Sequence, residues 1–230
     1  MATKWITKRG HKFQIKNGLS KNNFKLKPNL TEMQKQSANT SITRQGRKSM
    51  PLRKIENSLG KNETIYDYGA GRGVDYIHLL ATGHKATACD PNTELGNCKV
   101  HKSDVVISNY VLNTVPPGIR DKIMKDIASS TKNRAYITVR RTGDRGTPRY
   151  DGYITSRNTF QKYFTPDELK NYTKHYFGNC KINKSVTNGD SSSVICKDPK
   201  CFKCHSSNWY MYQNDSSQLL CFDMDTLATY

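Results

Sequence analysis

The sequence predicts an α/β protein whose central sheet is doubly wound, mostly parallel and completed by an antiparallel hairpin. Three observations support this fold class. Short apolar runs alternate with helical patterns between residues 49 and 196, and such alternation is typical of a parallel sheet with helices on both faces. The first strand runs into a glycine-rich turn at 69–73. Two final strand patterns flank Asn188-Gly189-Asp190, which is a hairpin signal.

The first half of this region predicts two helices and two strands. Residues 50–59 predict a helix, with Ser49 as its N-cap and Pro51 in its first turn. A strand over 64–68, a helix over 74–82 that ends at Gly83, and a strand over 85–89 follow.

The second half continues the alternation with a strand over 104–109, a helix over 118–130 and a strand over 134–140. Four apolar residues share one side of that helix and predict a buried stripe: Ile119, Ile123, Met124 and Ile127. Residues 141–159 predict an irregular segment. A helix over 165–175, capped by Thr165, and strands over 176–184 and 191–196 complete the sheet.

Positive charge is concentrated at the start of the chain. The 230 residues carry a net charge of +18, and residues 1–54 contain 14 lysines and arginines against a single acid, Glu32. Such a field attracts polyanions, and the interleaved Trp5, Phe13 and Phe24 suit stacking on bases. We therefore predict an extended basic arm over 1–48 that contacts nucleic acid, with a short strand over 12–16. A merely solubilising tail is the alternative.

Composition also bears on compartment. No run of about twenty apolar residues is present, so no membrane span is expected, and the N-terminus lacks the apolar core of a secretory signal. Seven cysteines without such a signal predict reduced thiols and a cytoplasmic protein. The predicted regions are the arm at 1–48, the α/β domain at 49–196 and a cysteine-containing C-terminal extension at 197–230. Oligomeric state cannot be read from this pattern.

The glycine turn has a spacing of its own. Gly69, Gly71 and Gly73 form G-x-G-x-G, whereas the dinucleotide-binding fingerprint is G-x-G-x-x-G and would place its third glycine at Val74. Asp67 precedes the first glycine by two residues. Together these residues resemble motif I of the class I S-adenosylmethionine-dependent methyltransferases, which have a Rossmann-like sheet ending in an antiparallel hairpin. A glycine-rich loop without a ligand is the alternative.

The resemblance implies S-adenosylmethionine as cofactor and a set of contacts to it. Asp67 and the three glycines would hold the methionine end, and Ser103 or Asp104 would touch the adenine. Asp90 ends the second strand about 20 residues after the glycines, where an acid binds ribose hydroxyls; an ordinary turn aspartate before proline is the alternative.

Polar residues that end two later strands are the candidates for catalysis. Ligands of open α/β sheets bind beyond the carboxyl ends of the strands, so Asn109 and Tyr110 are expected to face the sulfonium and the methyl acceptor, with Arg140 nearby. A capping tyrosine and a turn asparagine are the alternative. No general base is predicted, because alignment of the acceptor is the main requirement. The candidate acceptor wall consists of Arg141, Arg145, Arg149, Asp151, Thr159 and Gln161.

A closer resemblance covers about residues 44–180. The chain is similar to a group of phage and bacterial methyltransferases, including those associated with DNA phosphorothioation systems. The blocks that carry this similarity are Arg47-Lys48-Ser49-Met50-Pro51, residues 67–75, Asn109-Tyr110-Val111-Leu112-Asn113, Val139-Arg140-Arg141, Asp151-Gly152-Tyr153-Ile154-Thr155-Ser156 and Thr159-Phe160-Gln161-Lys162.

The substrate is predicted to be nucleic acid, with DNA favoured over RNA. The proline-containing motif of amino-methylating DNA enzymes is absent after Ser108, and no cysteine follows a proline as in C5-cytosine enzymes. These absences argue against two reaction types and leave methyl transfer open. The alternatives are methylation of a small molecule or protein, and a non-catalytic nucleic-acid-binding viral protein with this fold.

The last candidate site is a cluster of cysteines near the C-terminus. Thiolates and imidazole are preferred zinc ligands, and the cluster contains Cys196, Cys201, Cys204 and His205. A structural zinc site usually needs two separated pairs, so Cys180 or Cys221 would have to complete it. Free thiols are the alternative.

Overall fold

We describe a computed structural model of the chain. It describes the backbone of residues 4–8, 11–16, 19–20, 24–30, 47–143, 145–201, 209–213 and 219–223. Side chains are described for 24–30, 47–143 and 145–201.

The basic N-terminal region contains a small antiparallel sheet. Strands β1 (Lys4–Lys8), β2 (His11–Lys16) and β3 (Leu19–Ser20) pair in that order, which confirms the predicted strand at 12–16. The segment 24–30 then packs on the main domain, where Phe24 and Leu30 are buried. The described part of residues 1–30 is therefore not an extended arm, and the buried Phe24 cannot stack on bases. The boundaries of the three predicted regions stay predictions.

The central sheet has the predicted doubly wound form. Its strands are β4 (Thr64–Tyr68), β5 (Lys85–Cys89), β6 (Ser103–Asn109), β7 (Thr131–Arg140), β11 (Phe177–Ile182) and β12 (Ser191–Pro199). They lie in the order β11-β12-β7-β6-β4-β5. β4 to β7 are parallel, and β11 and β12 form the expected antiparallel hairpin beside β7.

The helices follow the predicted sequence signals. They are α1 (Met50–Ile55), α2 (Val74–Ala81), α3 (Pro117–Ser130) and α4 (Pro166–Thr173). Ser49 caps α1 by accepting a hydrogen bond from Leu52 N at 3.1 Å. Thr165 and Glu168 form a reciprocal capping box at the start of α4, so both N-caps that the sequence predicts, Ser49 and Thr165, are confirmed.

Apolar clusters cover both faces of the sheet. On one face Tyr66, Val106 and Met124 belong to a buried cluster that also includes Leu169 of α4. On the other face, Ile65 and Val105 pack with side chains of α1 and α2. Alternate strand residues thus point to opposite helical layers. The predicted stripe on α3 is wrong at its first position, because Ile119 is 53% exposed at the mouth of a cavity.

Residues 141–159, expected to be irregular, contain part of a second sheet. Strands β8 (Thr147–Arg149), β9 (Gly152–Ile154) and β10 (Phe160–Gln161) pair antiparallel. Arg120 of α3 anchors this inserted sheet through two bonds to the Asp151 carboxylate, at 2.6 and 3.1 Å. Near the C-terminus, β13 (Trp209–Gln213) and β14 (Leu219–Asp223) form a further hairpin.

Cysteine pairing differs from the prediction of reduced thiols. Cys89 is bonded to Cys98, and Cys180 to Cys196 on adjacent strands. The Cα atoms are 5.0 Å apart in the first pair and 4.2 Å apart in the second. The fold brings them this close, and the spacing of cysteines in the sequence does not reveal it. The compartment stays a prediction. In the described residues, no helix is long and apolar enough to cross a membrane.

Candidate cofactor and acceptor site

A cavity of about 930 Å³ opens at the carboxyl ends of the parallel strands. One half is lined by the glycine turn after β4 and by residues that follow β5, including Asp90 and Asn97. The other half is lined by the end of β6, by Arg140 of β7 and by the loop between β9 and β10. We call these the donor half and the acceptor half.

The glycine turn adopts the conformation that its sequence requires. Gly69, Gly71 and Gly73 have φ angles of +72°, +57° and +75°, in the region that side chains disfavour. A Cβ on Gly69 would lie 2.5 Å from a methyl carbon of Val111, so this glycine also brings the turn against the wall of the acceptor half. The turn ends at the N-terminus of α2, where free N–H groups favour polar or anionic ligand atoms.

Two predicted cofactor contacts meet in the donor half. Asp67 is buried at the end of β4 and lines the cavity. Asp90 accepts hydrogen bonds from Gly71 N at 3.0 Å and Asn92 N at 2.9 Å, so the acid and the glycine turn form one unit. Burial raises the pKa of Asp90, while the bonds from Asn92 and Gly71 and the charge of Lys27 act to lower it.

The two predicted adenine contacts lie elsewhere. Ser103 and Asp104 begin β6, and in a parallel sheet that end is opposite to the cavity. Asp104 instead accepts bonds from the backbone N–H and the hydroxyl of Thr64, at 2.8 and 2.7 Å. This contact joins the starts of β4 and β6. The assignment of Ser103 and Asp104 is corrected, because strand polarity places them at the wrong edge.

Asn109 lies where the two halves of the cavity meet. Its amide nitrogen is 3.4 Å from both Ser49 Oγ and Asp75 Oδ2, and Ser49 N donates to Asp75 Oδ1 at 2.6 Å. The end of β6 is thereby tied to the starts of α1 and α2. The arrangement orients the Asn109 side chain at the cavity wall.

Tyr110 and Arg140 are brought together in the acceptor half. Tyr110 has a positive φ of 62°, and its hydroxyl is 2.9 Å from Ser191 Oγ. The Arg140 guanidinium lies 5.8 Å from the centre of the Tyr110 ring, within the range of a cation–π contact. Arg140 thus presents a positively charged, flat group to whatever enters this half.

The predicted acceptor wall is only partly assembled. Thr159 and Gln161 line the cavity, and Gln161 accepts a hydrogen bond from Asn113 at 2.9 Å. Four other members of the predicted wall are not among the lining residues: Arg141, Arg145, Arg149 and Asp151.

Each of the four has a different placement from the predicted one. Arg141 donates to the Asn188 carbonyl at 3.0 Å, and Arg149 lies over the exposed ring of Tyr150. Asp151 is committed to Arg120. Arg145 is exposed.

Other lining residues were missed by the sequence reading. Arg72 lies within the glycine turn and Asp75 follows it by two residues, so their place in the sequence was the available signal. In the acceptor half the missed residues include Asn113, Thr142, Thr155, Ser156, Arg157 and Tyr163. The block at 151–156 carries the family resemblance, but no local pattern distinguishes Ser156 and Arg157 from residues of an ordinary loop.

The predicted zinc site is not supported. Cys196 is bonded to Cys180 and Cys201 is also disulfide-bonded, so neither is a free thiolate. Cys204 and His205 lie outside the described residues. Within the part of the chain that is described, no group of three or more His, Cys, Asp or Glu could hold a metal ion.

Comparisons with known proteins locate the fold. No family model and no curated protein matches the chain. A solved structure of the Burkholderia thailandensis 1,6-didemethyltoxoflavin-N1-methyltransferase, with 1,6-didemethyltoxoflavin and S-adenosylhomocysteine bound, is similar with a TM-score of 0.53 and 16% identity. The match covers 87% of this chain and 100% of that one.

Two further solved structures are less similar. The glycopeptide N-methyltransferase MtfA has a TM-score of 0.49 and 9% identity, over 66% of this chain and 95% of that one. Human N-acetylserotonin methyltransferase has a TM-score of 0.45 and 13% identity, over 64% of this chain and 51% of that one. The chain has the Rossmann-like fold of class I S-adenosylmethionine-dependent methyltransferases, with a mostly parallel sheet and a terminal antiparallel hairpin.

Proposed function

We propose that this protein is an S-adenosylmethionine-dependent methyltransferase. The observation that carries the proposal is the joined unit of glycine turn and acid, in which Gly71 N donates to Asp90 inside a large cavity. Backbone in a left-handed conformation suits close approach of a ligand. Burial raises the pKa of the Asp90 carboxyl. Hydrogen bonds from two hydroxyl groups would stabilise its ionised form, and a ribose supplies two hydroxyl groups. The donor half therefore fits this cofactor.

The roles of the chain's residues follow from their places in the cavity. The turn at 69–73 and Asp67 would hold the methionine end, and Asp90 the ribose. When bound, S-adenosylmethionine supplies an electrophilic methyl group. Asn109 and Tyr110 border the junction of the two halves, where they would align an acceptor, and Arg140 would hold a polar or anionic part of it. Alignment of this kind can supply a large share of the rate.

Calorimetry with S-adenosylhomocysteine tests the cofactor assignment. Wild type is expected to bind, and Asp90→Ala to bind about ten- to a hundredfold more weakly, because charge-assisted hydrogen bonds are lost. Asp104→Asn is the matched control, since this acid lies at the opposite edge of the sheet, and its affinity is expected to be unchanged. Absence of binding by wild type would refute the proposal.

We further propose nucleic acid as the acceptor, with DNA favoured over RNA. The proposal is supported by the net charge of +18 and by Arg140 and Arg157 in the acceptor half. Arginine suits bidentate recognition of phosphate. A small molecule is the competing acceptor, since the structure of the similar Burkholderia enzyme has 1,6-didemethyltoxoflavin bound and the cavity volume is typical of small-ligand sites.

Transfer of labelled methyl groups separates these acceptors. Single- and double-stranded DNA, RNA and a fraction of small metabolites would each be incubated with the full chain and S-adenosylmethionine. Label on DNA, lost in Arg140→Ala, is the expected result. Label only in the metabolite fraction would refute the nucleic-acid acceptor while leaving methyl transfer intact.

A further inference from the structure

A short segment of the basic N-terminal region crosses both loops of the donor half. We call residues 24–30 the strap. Phe24 N donates to the carbonyl of Arg72, within the glycine turn, at 3.1 Å. Farther along, Lys27 N donates to the Asn92 carbonyl at 3.0 Å, and Glu94 N donates to the Lys25 carbonyl at 3.1 Å. One segment is thus bonded to the turn after β4 and to the loop after β5.

Phe24 is a second reason, besides the positive φ, why the third position of the turn is glycine. Its side chain is 1% exposed and lies with its ring centre 6.1 Å from that of Tyr76 on α2. A Cβ on Gly73 would lie 2.6 Å from Phe24 Cδ2 and 3.5 Å from a methyl carbon of Leu95. The open face of Gly73 therefore receives the strap, whereas Gly69 faces the cavity wall.

Lys27 carries the strap to the edge of the cavity. Its ammonium group donates to Asn97 Oδ1 at 3.2 Å, and Asn97 lines the donor half. The positive charge of Lys27 also favours the ionised form of Asp90, since it acts to lower the pKa of that buried carboxyl against the larger effect of burial. No strap residue is among those that line the cavity, so any effect on a ligand is transmitted through the two loops.

We infer that the strap is a positioning element of the cofactor site, which holds the glycine turn and the loop at 90–97 at the spacing that the cofactor needs. The inference rests on the proposed function. In this inference, part of the basic N-terminal region belongs to the structure that supports the donor half of the cavity. Backbone bonds and the Phe24 ring thus reinforce direct contacts between the glycine turn and the end of β5 with its loop, among them Gly71 N to Asp90, the Thr93 hydroxyl to the Gly71 carbonyl at 3.2 Å and Ala70 N to the Cys89 carbonyl at 2.9 Å.

The test is Phe24→Ala in the full chain, with S-adenosylhomocysteine as the probe. Phe177→Ala is the matched control, because Phe177 is equally buried but belongs to the opposite apolar cluster. Both variants are expected to lower the midpoint of thermal unfolding by about 10 °C. Only Phe24→Ala is expected to raise the dissociation constant, by about tenfold, and Phe24→Leu is expected to restore most of the affinity.

Hydrogen exchange supplies a readout that loss of stability alone would not move. In Phe24→Ala the amides of Gly71, Asn92 and Glu94 are expected to exchange faster relative to those of β7, whereas Phe177→Ala leaves that ratio unchanged. If Phe24→Ala does not fold, Lys27→Gln replaces it, with an expected rise of about threefold in the dissociation constant.

The possible failures are distinguishable. If wild type binds and both phenylalanine variants bind equally well, the strap is only structural and the inference is refuted while the proposed function stands. If wild type does not bind, the proposed function falls and the inference falls with it.

Discussion

Single residues in this protein serve the fold and the cavity at the same time, and the glycine turn is the clearest case. Its glycines share a left-handed backbone, yet their neighbours differ. Gly69 faces Val111 in the cavity wall, and Gly73 faces Phe24 of the strap. Gly83 after α2 also has a positive φ of 84°, but nothing lies within 4 Å of the position of a Cβ. Alanine substitutions at Gly69 and Gly83 therefore distinguish the energetic cost of backbone strain from the cost of a steric collision.

Gly69→Ala is therefore expected to destabilise the protein more than Gly83→Ala. The left-handed conformation costs roughly 1–2 kcal/mol for a residue with a Cβ, and Gly83→Ala should show that cost alone. Gly69→Ala adds the collision with Val111 and displaces the turn from its ligand. Urea unfolding gives the two free energies of unfolding, and calorimetry with S-adenosylhomocysteine gives the loss of affinity. Equal destabilisation by the two changes would contradict this account of Gly69.

At the scale of elements, the inserted sheet β8–β10 builds part of the acceptor half. Its β9–β10 loop supplies Thr155, Arg157 and Thr159 to the cavity. The sheet is small and is anchored through Asp151, which is bonded to the buried Arg120 of α3. Arg120 also donates to the carbonyls of Leu112 and Val115, so one guanidinium joins three segments around the site.

Asp151→Asn is expected to lower the free energy of unfolding at pH 7 by about 1–2 kcal/mol. Breaking an ion pair that is fully buried costs more free energy of unfolding than this. Here the Asp151 side chain is 36% exposed, so solvent screens the pair and the loss is smaller. Burial acts to raise the pKa of Asp151, and the bonds and charge of Arg120 outweigh it, so the pKa is lowered.

The pH dependence follows from that direction. A carboxyl with a lowered pKa stabilises the folded state above its ordinary value of about 3.9 and loses this contribution as the pH falls through the lowered pKa. Urea unfolding of wild type and Asp151→Asn at pH 7 and pH 3 checks this. The difference between them is expected to shrink at pH 3; a constant difference would show that the Arg120 contact does not depend on the charge of Asp151.

At the scale of the whole molecule, most of the net positive charge lies in a different part of the chain from the residues that line the cavity. The net charge of +18 is drawn largely from the first 54 residues, while acids and bases both line the cavity. A polyanion would thus be attracted by the molecule as a whole. The strap connects the two features, since it follows the basic strands β1–β3 and is bonded to the donor loops.

Removal of N-terminal charge is expected to weaken nucleic-acid binding and leave cofactor binding intact. In the full chain, Lys4, Lys8, Lys12 and Lys16 would be replaced by Gln. For single-stranded DNA the slope of log K against log salt is about −0.7 per phosphate contact, so loss of four contacts would make it shallower by roughly 3. The matched control replaces Lys170, Lys174, Lys181 and Lys184, near the other edge of the sheet. Equal slopes for the two variants would refute a specific role for the N-terminal lysines.

Local patterns were sufficient for most of the fold. The strand at 64–68 and the strand at 85–89 have the predicted bounds, because each is a short apolar run bounded by turn residues. Both predicted caps, Ser49 and Thr165, are present. The donor half was predictable for the same reason, since Gly69 to Gly73 are adjacent in sequence and Asp90 follows at a spacing that parallel strands impose.

The features that the sequence did not predict depend on contacts between residues that are distant in the chain. Ser103 and Asp104 begin β6, at the end of the strand that lies away from the cavity, and the local sequence does not reveal which end of β6 meets the cavity. The bond between Lys25 N and Glu94 spans 69 residues and that between Arg120 and Asp151 spans 31, and neither leaves a local signal. The phage and phosphorothioation grouping stays a prediction.

By itself, therefore, the sequence determined the order of the strands of the central sheet and of its helices, the glycine turn, and the acid that ends the next strand, because each depends on a local pattern or on the spacing between successive strands. Only the tertiary structure decided which polar residues share the cavity, that Arg145 and Arg149 stand outside it, and that the basic N-terminal segment straps the donor loops. Those outcomes depend on how buried apolar faces bring remote segments together, and periodicity along one segment carries no information about its distant partner.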